Sequence, residues 1–98
     1  MKPVTYHRFA ENELIESALY YESRRKFLGD NFLDLVDETL TQIQSNPAWG
    51  RPGKLNTRTW KVRRFPFRIV YLEHATRIWI VAVAHLSRKP GYWSVRLE

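Results

Sequence analysis

The spacing of apolar positions along the chain predicts its secondary structure. Residues 4–9 (VTYHRF) alternate between apolar and polar side chains, which predicts a short first strand. From Glu11 to Lys26 apolar residues recur every three or four positions, with acids near the start and three cations at the end, as in an amphipathic helix. The same spacing returns from Asp30 and stops before Pro47. With only a short break at Gly29 between them, these two segments predict an αα-hairpin.

The rest of the chain is predicted to form strands. Residues 46–56 contain two prolines and two glycines, and we expect no regular element there. Three segments rich in β-branched and aromatic residues follow, at 58–65, 67–73 and 77–85. Their short connections predict an antiparallel meander. The order β-α-α-β-β-β therefore predicts an α+β fold, in which a helical hairpin covers one face of a mainly antiparallel sheet, and a single domain over residues 1–98.

Alternation along the strands divides their side chains between the two faces of the sheet. If the aromatic positions of the two strands 58–65 and 67–73 pack against the helices, the opposite face carries Lys61, Arg63 and Arg68. We therefore expect a cationic floor on the uncovered face, with the residues after Ala84 forming its rim.

Charge is divided unequally between the two halves of the chain. Residues 1–50 hold five Lys/Arg against eight Asp/Glu, whereas residues 51–98 hold eleven Lys/Arg against two acids. This asymmetry indicates a polyanionic partner, either nucleic acid or an acidic protein segment. There is no cysteine, no apolar run as long as the roughly 18–20 residues of a membrane span, and no signal-peptide core at the N-terminus. We expect a cytoplasmic protein without a membrane partner.

A cationic floor bordered by His85 suits the metal-free cleavage of RNA. Attack by a ribose 2′-hydroxyl on the adjacent phosphate needs a base, an acid and cations that stabilise the phosphoryl oxygens. Histidine exchanges protons near neutral pH, and arginine binds phosphate through its planar fork. The candidate catalytic residues are His85, Arg68, Arg63, Lys61, Arg88 and Tyr92. The candidates for binding RNA or an acidic partner are Lys54, Arg58, Arg64 and Lys89.

Each candidate also has a purely structural interpretation. His85 can simply hydrogen-bond at a strand end, Trp93 can pack over the sheet, and the cations can meet an acidic partner without chemistry. Other chemistries lack their residues. Eight of the ten acids lie in residues 1–50, mostly on the predicted helices, so a two-metal nuclease site is not expected. The three histidines lack the spacing of zinc ligands, and the chain has no P-loop. No metal and no cofactor is predicted.

The chain resembles the RelE/ParE superfamily of bacterial type II toxins. The matching segments are RFAENELIESALYYE, LGDNFLDLVDETLTQIQSNP, RRFPFRIVYLE and IWIVAVAHLSRKPGYW, and they cover nearly the whole chain. The last of these is typical of a plasmid-stabilisation subgroup. The resemblance implies a small cytoplasmic toxin that is neutralised by an antitoxin with an acidic tail.

Two activities are implied by this resemblance. RelE-like members cleave mRNA on the ribosome, and their motif maps onto Lys61, Arg63 and Arg68, with Arg88 and Tyr92 corresponding approximately to later positions. ParE-like members instead poison DNA gyrase by binding it. We expect a ribosome-dependent mRNA endoribonuclease, with gyrase inhibition as the alternative. A third possibility is a basic groove that serves only autoregulation with the antitoxin.

Overall fold

The computed structural model describes all 98 residues as two helices packed on a five-stranded mixed sheet. The helices are α1 (Arg8–Arg24) and α2 (Leu28–Ser45). The strands are β1 (Val4–Tyr6), β2 (Arg51–Pro52), β3 (Arg58–Lys61), β4 (Phe67–Glu73) and β5 (Ile78–His85). Their order across the sheet is β1-β5-β4-β3-β2, with β1 parallel to β5 and the other pairs antiparallel. The predicted α+β fold is confirmed.

Several predicted boundaries were wrong. Helix α1 begins at Arg8 because the His7 imidazole caps it, with Nδ1 accepting the Phe9 amide hydrogen at 3.0 Å, so Phe9 is helical. Helix α2 begins at Leu28, so Gly29 lies inside it. A Cβ on Gly29 would lie 2.5 Å from the Ala18 carbonyl oxygen, so glycine is needed there for close packing of the helices.

The predicted loop 46–56 and the first strand of the meander also differ from expectation. The loop contains short 3₁₀ turns at Pro47–Trp49 and Lys54–Asn56, and its strand β2 pairs with β3 at the sheet edge. Strand β3 ends at Lys61, because the chain then turns through residues 62–66, where Arg64 takes a positive φ of 68°.

The helices cover one face of the sheet, as the alternation predicted. Phe67, Ile69 and Tyr71 of β4 belong to the same buried cluster as Phe32 and Val36 of α2. The opposite face is not bare. Residues that follow β5 fold back over it, and a second cluster forms there with Trp93 only 6% exposed. The structural interpretation of Trp93 is therefore confirmed.

A β-bulge in β5 changes which way its last residues point. Tyr71 pairs with Ile80 and Val70 pairs with Ala82, so Val81 is an extra residue without its own partner on β4. Ile80 packs on the helix side, both Val81 and Ala82 pack on the other side, and the alternation then continues out of phase with the first half of the strand.

Candidate functional site

The face away from the helices carries a groove rich in cations. Strands β3, β4 and β5 provide its base, the segment 51–54 forms one wall, and the segment 86–93 forms the other. Its volume is about 280 Å³. We call it the cationic groove; its charged residues are Arg51, Lys54, Arg68, Arg88 and Lys89.

Arg68 is the predicted phosphate-binding residue that the structure places in this groove. It pairs with Ala84 on β5 and with Lys61 on β3, so its side chain leaves the sheet on the face away from the helices. Lys54, Lys89 and Arg88, which were also predicted, line the same groove. His85 and Tyr92 line the groove as well, so the structure brings six of the predicted residues together; their roles in binding or catalysis stay predictions.

Lys61 pairs with Arg68 and so shares its face of the sheet, as predicted, but the ammonium of Lys61 and the guanidinium of Arg63 are both engaged within the protein. The Lys61 ammonium donates hydrogen bonds to the carbonyl oxygens of Val62 and Phe65, at 2.6 and 2.7 Å, and so closes the turn after β3. Arg63 reaches back to α2, where its Nε and Nη2 donate to the two carboxylate oxygens of Glu38 at 3.0 and 2.9 Å. The expectation that Arg63 shares a face with Arg68 was wrong, because β3 ends before residue 63 and strand alternation no longer applies.

His85 borders the groove, but its ring is turned toward the helix side. Its backbone pairs with Phe67, and the two rings meet edge-on with centroids 5.0 Å apart. Its Nδ1 lies 3.0 Å from the Ser87 amide nitrogen and 2.7 Å from the Ser87 hydroxyl oxygen. The bulge at Val81 accounts for this orientation, since it reverses the alternation that would otherwise direct the imidazole toward Arg68.

Tyr92 and Arg88 stack against each other at the end of the groove. The Arg88 guanidinium carbon lies 3.9 Å from the centroid of the Tyr92 ring. The Tyr92 hydroxyl donates a 2.6 Å hydrogen bond to the carboxylate of Glu13 on α1. Burial and this bond to a carboxylate raise the pKa of Tyr92 well above its ordinary value. The phenol therefore stays protonated at neutral pH and is poorly suited to act as a base.

Glu13 is the acceptor that fixes the end of the chain to α1. Arg96 donates to both of its carboxylate oxygens, at 2.8 and 2.9 Å, and the Val83 amide donates at 3.1 Å. Arg96 also donates to the Val81 carbonyl oxygen at 3.0 Å. Burial alone would raise the pKa of Glu13, but the hydrogen bonds from Arg96, Tyr92 and Val83 hold it below its ordinary value.

The contacts of Glu13 and Arg96 replace a missing strand. Strand β1 pairs with β5 only as far as Ile80, so the backbone groups beyond it have no neighbouring strand on that side. The Val83 amide and the Val81 carbonyl are satisfied instead by the Glu13 and Arg96 side chains. This ion pair therefore protects an edge of the sheet that would otherwise present free hydrogen-bonding groups.

Two further predicted binding residues lie outside the cationic groove. Arg58 donates through Nη1 to the Gly50 carbonyl oxygen at 2.9 Å and so supports the loop before β3. Arg64 borders a different cavity, on the helix side, together with Arg25 and Asp34. For these two residues the structure shows a position away from the predicted floor.

Sequence reasoning missed three residues that matter for this surface. Arg51 lines the cationic groove, but it lies in the loop that was expected to have no regular element. The contact between Glu13 and Arg96 joins residues 83 positions apart, and no local sequence pattern predicts it. The sequence offered only two signals for this contact. Glu13 is an acid on α1 with no cation three or four positions away, and Arg96 is an arginine that follows Trp93. No three His, Asp or Glu side chains come together as a metal site.

Comparisons with known proteins identify the family. A family model described as "ParE toxin of type II toxin-antitoxin system, parDE" matches residues 4–90. Among solved structures, the chain is similar to one described as "Chromosomal ParDE TA system from P. aeruginosa", with a TM-score of 0.65. That similarity covers 87% of this chain and 96% of the other at 21% identity, and at this identity it shows the fold. A search of curated proteins gives no match.

The fold and the sequence motifs together define a toxin of the RelE/ParE superfamily, as the sequence predicted. Within that superfamily, the chain belongs to the family of ParE toxins of type II toxin–antitoxin systems. Neither helix combines the length and the apolar composition needed to cross a bilayer.

Proposed function

We propose that this chain is a cytoplasmic toxin that arrests growth by binding DNA gyrase and that is neutralised by a cognate antitoxin. Membership of the ParE family supports the toxin role, and ParE-like members poison gyrase. Gyrase inhibition by binding was the alternative in the sequence analysis, and the geometry now favours it over cleavage of ribosome-bound mRNA.

Although His85, Arg88 and Tyr92 line one cavity, the observation that carries this proposal is that the groups RNA cleavage would need are held by partners inside the protein or turned away from one another. Arg63 is held by Glu38 on the helix side, and the hydroxyl of Tyr92 is held by Glu13. The imidazole of His85 packs against Phe67 rather than beside Arg68. General acid–base catalysis requires its groups within hydrogen-bond reach of one scissile phosphate. A protein that acts by binding has no such requirement.

Exposed apolar residues on α1 support the binding of protein partners. Ile15, Leu19 and Tyr20 are 50%, 66% and 59% exposed and lie within two turns of the helix. Large apolar side chains clustered on a surface are typical of protein interfaces. We propose that the antitoxin covers this face of α1, and that an acidic segment of the antitoxin complements cations of residues 51–98 that lie outside the cationic groove.

Cleavage of mRNA remains the second candidate, because six predicted residues line one cavity, His85 and Tyr92 among them. Arg68, Arg88, Lys54 and Lys89 all line the cationic groove, which is sufficient to bind a phosphodiester. Under this hypothesis the chemistry would have to come from residues that rearrange on the ribosome.

A direct comparison of the two activities tests the proposal. Purified full-length toxin is added to gyrase with relaxed plasmid and ATP, and separately to programmed ribosomes. We expect blocked supercoiling and intact mRNA. In cells, brief induction should produce double-strand DNA breaks without new mRNA 5′ ends. New mRNA ends together with normal supercoiling would reject gyrase inhibition.

Two variants make this comparison specific. His85→Ala removes the candidate proton-transfer group, and we expect growth arrest to persist. Arg24→Ala removes an exposed side chain at the end of α1, outside the candidate site, and is the control. We expect it to leave growth arrest unchanged. Loss of growth arrest in His85→Ala, with its antitoxin binding and melting temperature unchanged, would favour the nuclease hypothesis.

A further inference from the structure

We propose that the cationic groove binds the sugar–phosphate backbone of DNA, so that the toxin contacts the DNA that gyrase holds as well as the enzyme itself. This inference rests on the proposed gyrase target. The groove has sixteen lining residues, which include five Lys/Arg and no Asp or Glu. Such a concentration of one charge sign attracts a polyanion.

The hydrogen-bond donors of the groove have no acceptors within the protein, and the Arg88 guanidinium is only stacked on the Tyr92 ring. The three salt bridges of the chain use Lys2, Arg63 and Arg96, none of which lies in the groove. Elsewhere in this half of the chain, Arg58 and Lys61 donate to backbone carbonyls. The five groove cations are all exposed, and none of their side chains donates an internal hydrogen bond. Their N–H groups are therefore available to an external acceptor.

The shape of the groove admits a single backbone strand. Its volume is about 280 Å³, and its two walls approach each other where Lys54 passes Gly91. The Lys54 Nζ lies 3.4 Å from the point where a Cβ on Gly91 would stand. Gly91 also has a positive φ of 78°, which disfavours any larger residue. A whole duplex cannot enter so narrow a groove, but one strand of a duplex can present its phosphates to it.

The apolar part of the groove favours DNA over an acidic peptide. The apolar side chains at its base, Val70, Ala84 and Trp93, are at most 6% exposed. Protein segments usually bind through a buried apolar anchor, and the base of the groove exposes almost no apolar surface to receive one. The one large apolar side chain exposed in its lining is Leu86, on the wall. Contacts with phosphates need only charge and hydrogen-bond donors, and they carry no base sequence information.

The first experiment measures binding of the full-length toxin alone to a labelled 20-base-pair DNA duplex by fluorescence anisotropy. We expect a dissociation constant of roughly 10⁻⁴–10⁻⁶ M, the range of sequence-independent binding. If three to five phosphates are contacted, the logarithm of the affinity falls with the logarithm of salt concentration with a slope of about −3 to −4.5. Failure to bind at low salt would overturn the inference.

Matched variants locate the binding site. The double variant Lys54→Ala/Arg68→Ala should weaken binding about tenfold or more and bring the salt slope closer to zero by about two. The control Arg24→Ala/Arg25→Ala removes two exposed cations from the end of α1 and should change the affinity less than twofold. Equal losses in both double variants would mean that net charge, not the groove, binds DNA.

Competition identifies the ligand class. Unlabelled duplex DNA should displace the probe, whereas a poly-glutamate peptide should displace it poorly. A peptide that competes better than DNA would assign the groove to an acidic protein, and RNA of the same sequence binding tenfold tighter would assign it to RNA. Either result would overturn the inference.

The supercoiling assay is scored separately from DNA binding. Loss of DNA binding in Lys54→Ala/Arg68→Ala should be accompanied by weaker inhibition of gyrase. If that variant loses DNA binding but inhibits gyrase fully, DNA contact is not part of the mechanism, and the proposed target stands. If the unchanged toxin binds DNA but leaves supercoiling intact, the proposed target is wrong.

Discussion

The half-buried carboxylate of Glu13 holds the end of the chain against α1, and its removal should destabilise the whole protein. In Glu13→Ala, the Tyr92 hydroxyl and the Val83 amide lose their acceptor, and the Arg96 guanidinium keeps only the Val81 carbonyl oxygen. The guanidinium would remain in place with its side chain only 9% exposed. An unpaired cation in that position is far more costly than the loss of a surface ion pair.

The expected magnitude follows from this burial. Removing one partner of a buried ion pair destabilises a protein by about 3–5 kcal/mol. Because Glu13 itself is 16% exposed, we expect the lower end of that range, about 3 kcal/mol. A domain of this size has a free energy of unfolding of about 5–15 kcal/mol. At about 4–8 °C per kcal/mol, the melting temperature should fall by roughly 12–24 °C.

Urea unfolding and thermal melts of three variants measure this effect. Glu13→Gln keeps the shape and an acceptor oxygen but removes the charge, so its loss should be smaller than that of Glu13→Ala. Glu16→Ala is the control, since it removes an exposed carboxylate from the same helix. We expect it to change the free energy of unfolding by less than about 0.5 kcal/mol.

The pH dependence provides an independent check. The pKa of Glu13 is lower in the folded protein than in the unfolded chain, so its contribution to stability is present above the unfolded pKa. That contribution is lost as the pH falls through the folded pKa. The difference in unfolding free energy between the wild type and Glu13→Gln should therefore shrink on going from pH 7 to pH 3. A difference that stays constant with pH, or a Glu13→Ala melting temperature within about 3 °C of the wild type, would refute the reasoning.

Three further substitutions test the loops around the sheet by urea unfolding. Gly50→Ala should destabilise the protein by about 1–3 kcal/mol, because the added Cβ would overlap the Tyr71 hydroxyl. The same substitution in a Tyr71→Phe background, which lacks that hydroxyl, should recover part of the loss. Arg64→Gly should stabilise it by up to about 1 kcal/mol by relieving a positive φ, whereas Arg64→Ala, which keeps that φ, should not. Lys61→Met should lower the free energy of unfolding by about 1 kcal/mol, because the carbonyls of Val62 and Phe65 lose their hydrogen-bond donor. Proteolysis within residues 62–66 should increase for the same reason. Unchanged proteolysis would mean that other contacts hold the turn.

Periodicity predicted the helices and the helix-facing side of the sheet because those features depend on local spacing. The alternation of Phe67, Ile69 and Tyr71 was sufficient to place Arg68 on the opposite face. The start of α1 was missed because a histidine caps it instead of the Ser, Thr, Asp or Asn that usually marks such a position.

The candidate site was predicted less well because its geometry depends on interruptions of the pattern. Arg63 follows the end of β3, where a turn directs it to Glu38. The anchoring of Tyr92 depends on Glu13, which is 79 positions away in the chain. Long-range partners of this kind follow from how the elements pack, and a single sequence contains no spacing that reveals them.

The additional residue in the last strand has a consequence for comparing relatives of this toxin. A relative of the same length in which Val81 paired with Val70 in regular alternation, without the bulge, would keep the same terminal motif but would carry its histidine over the groove. The presence or absence of the bulge thus determines on which surface of the molecule this imidazole lies, while the sequence motif is unchanged. Homologues that share AVAH can therefore differ in the chemistry available to them. Aligning their functional residues correctly requires the pairing of β4 with β5 as well as the sequence.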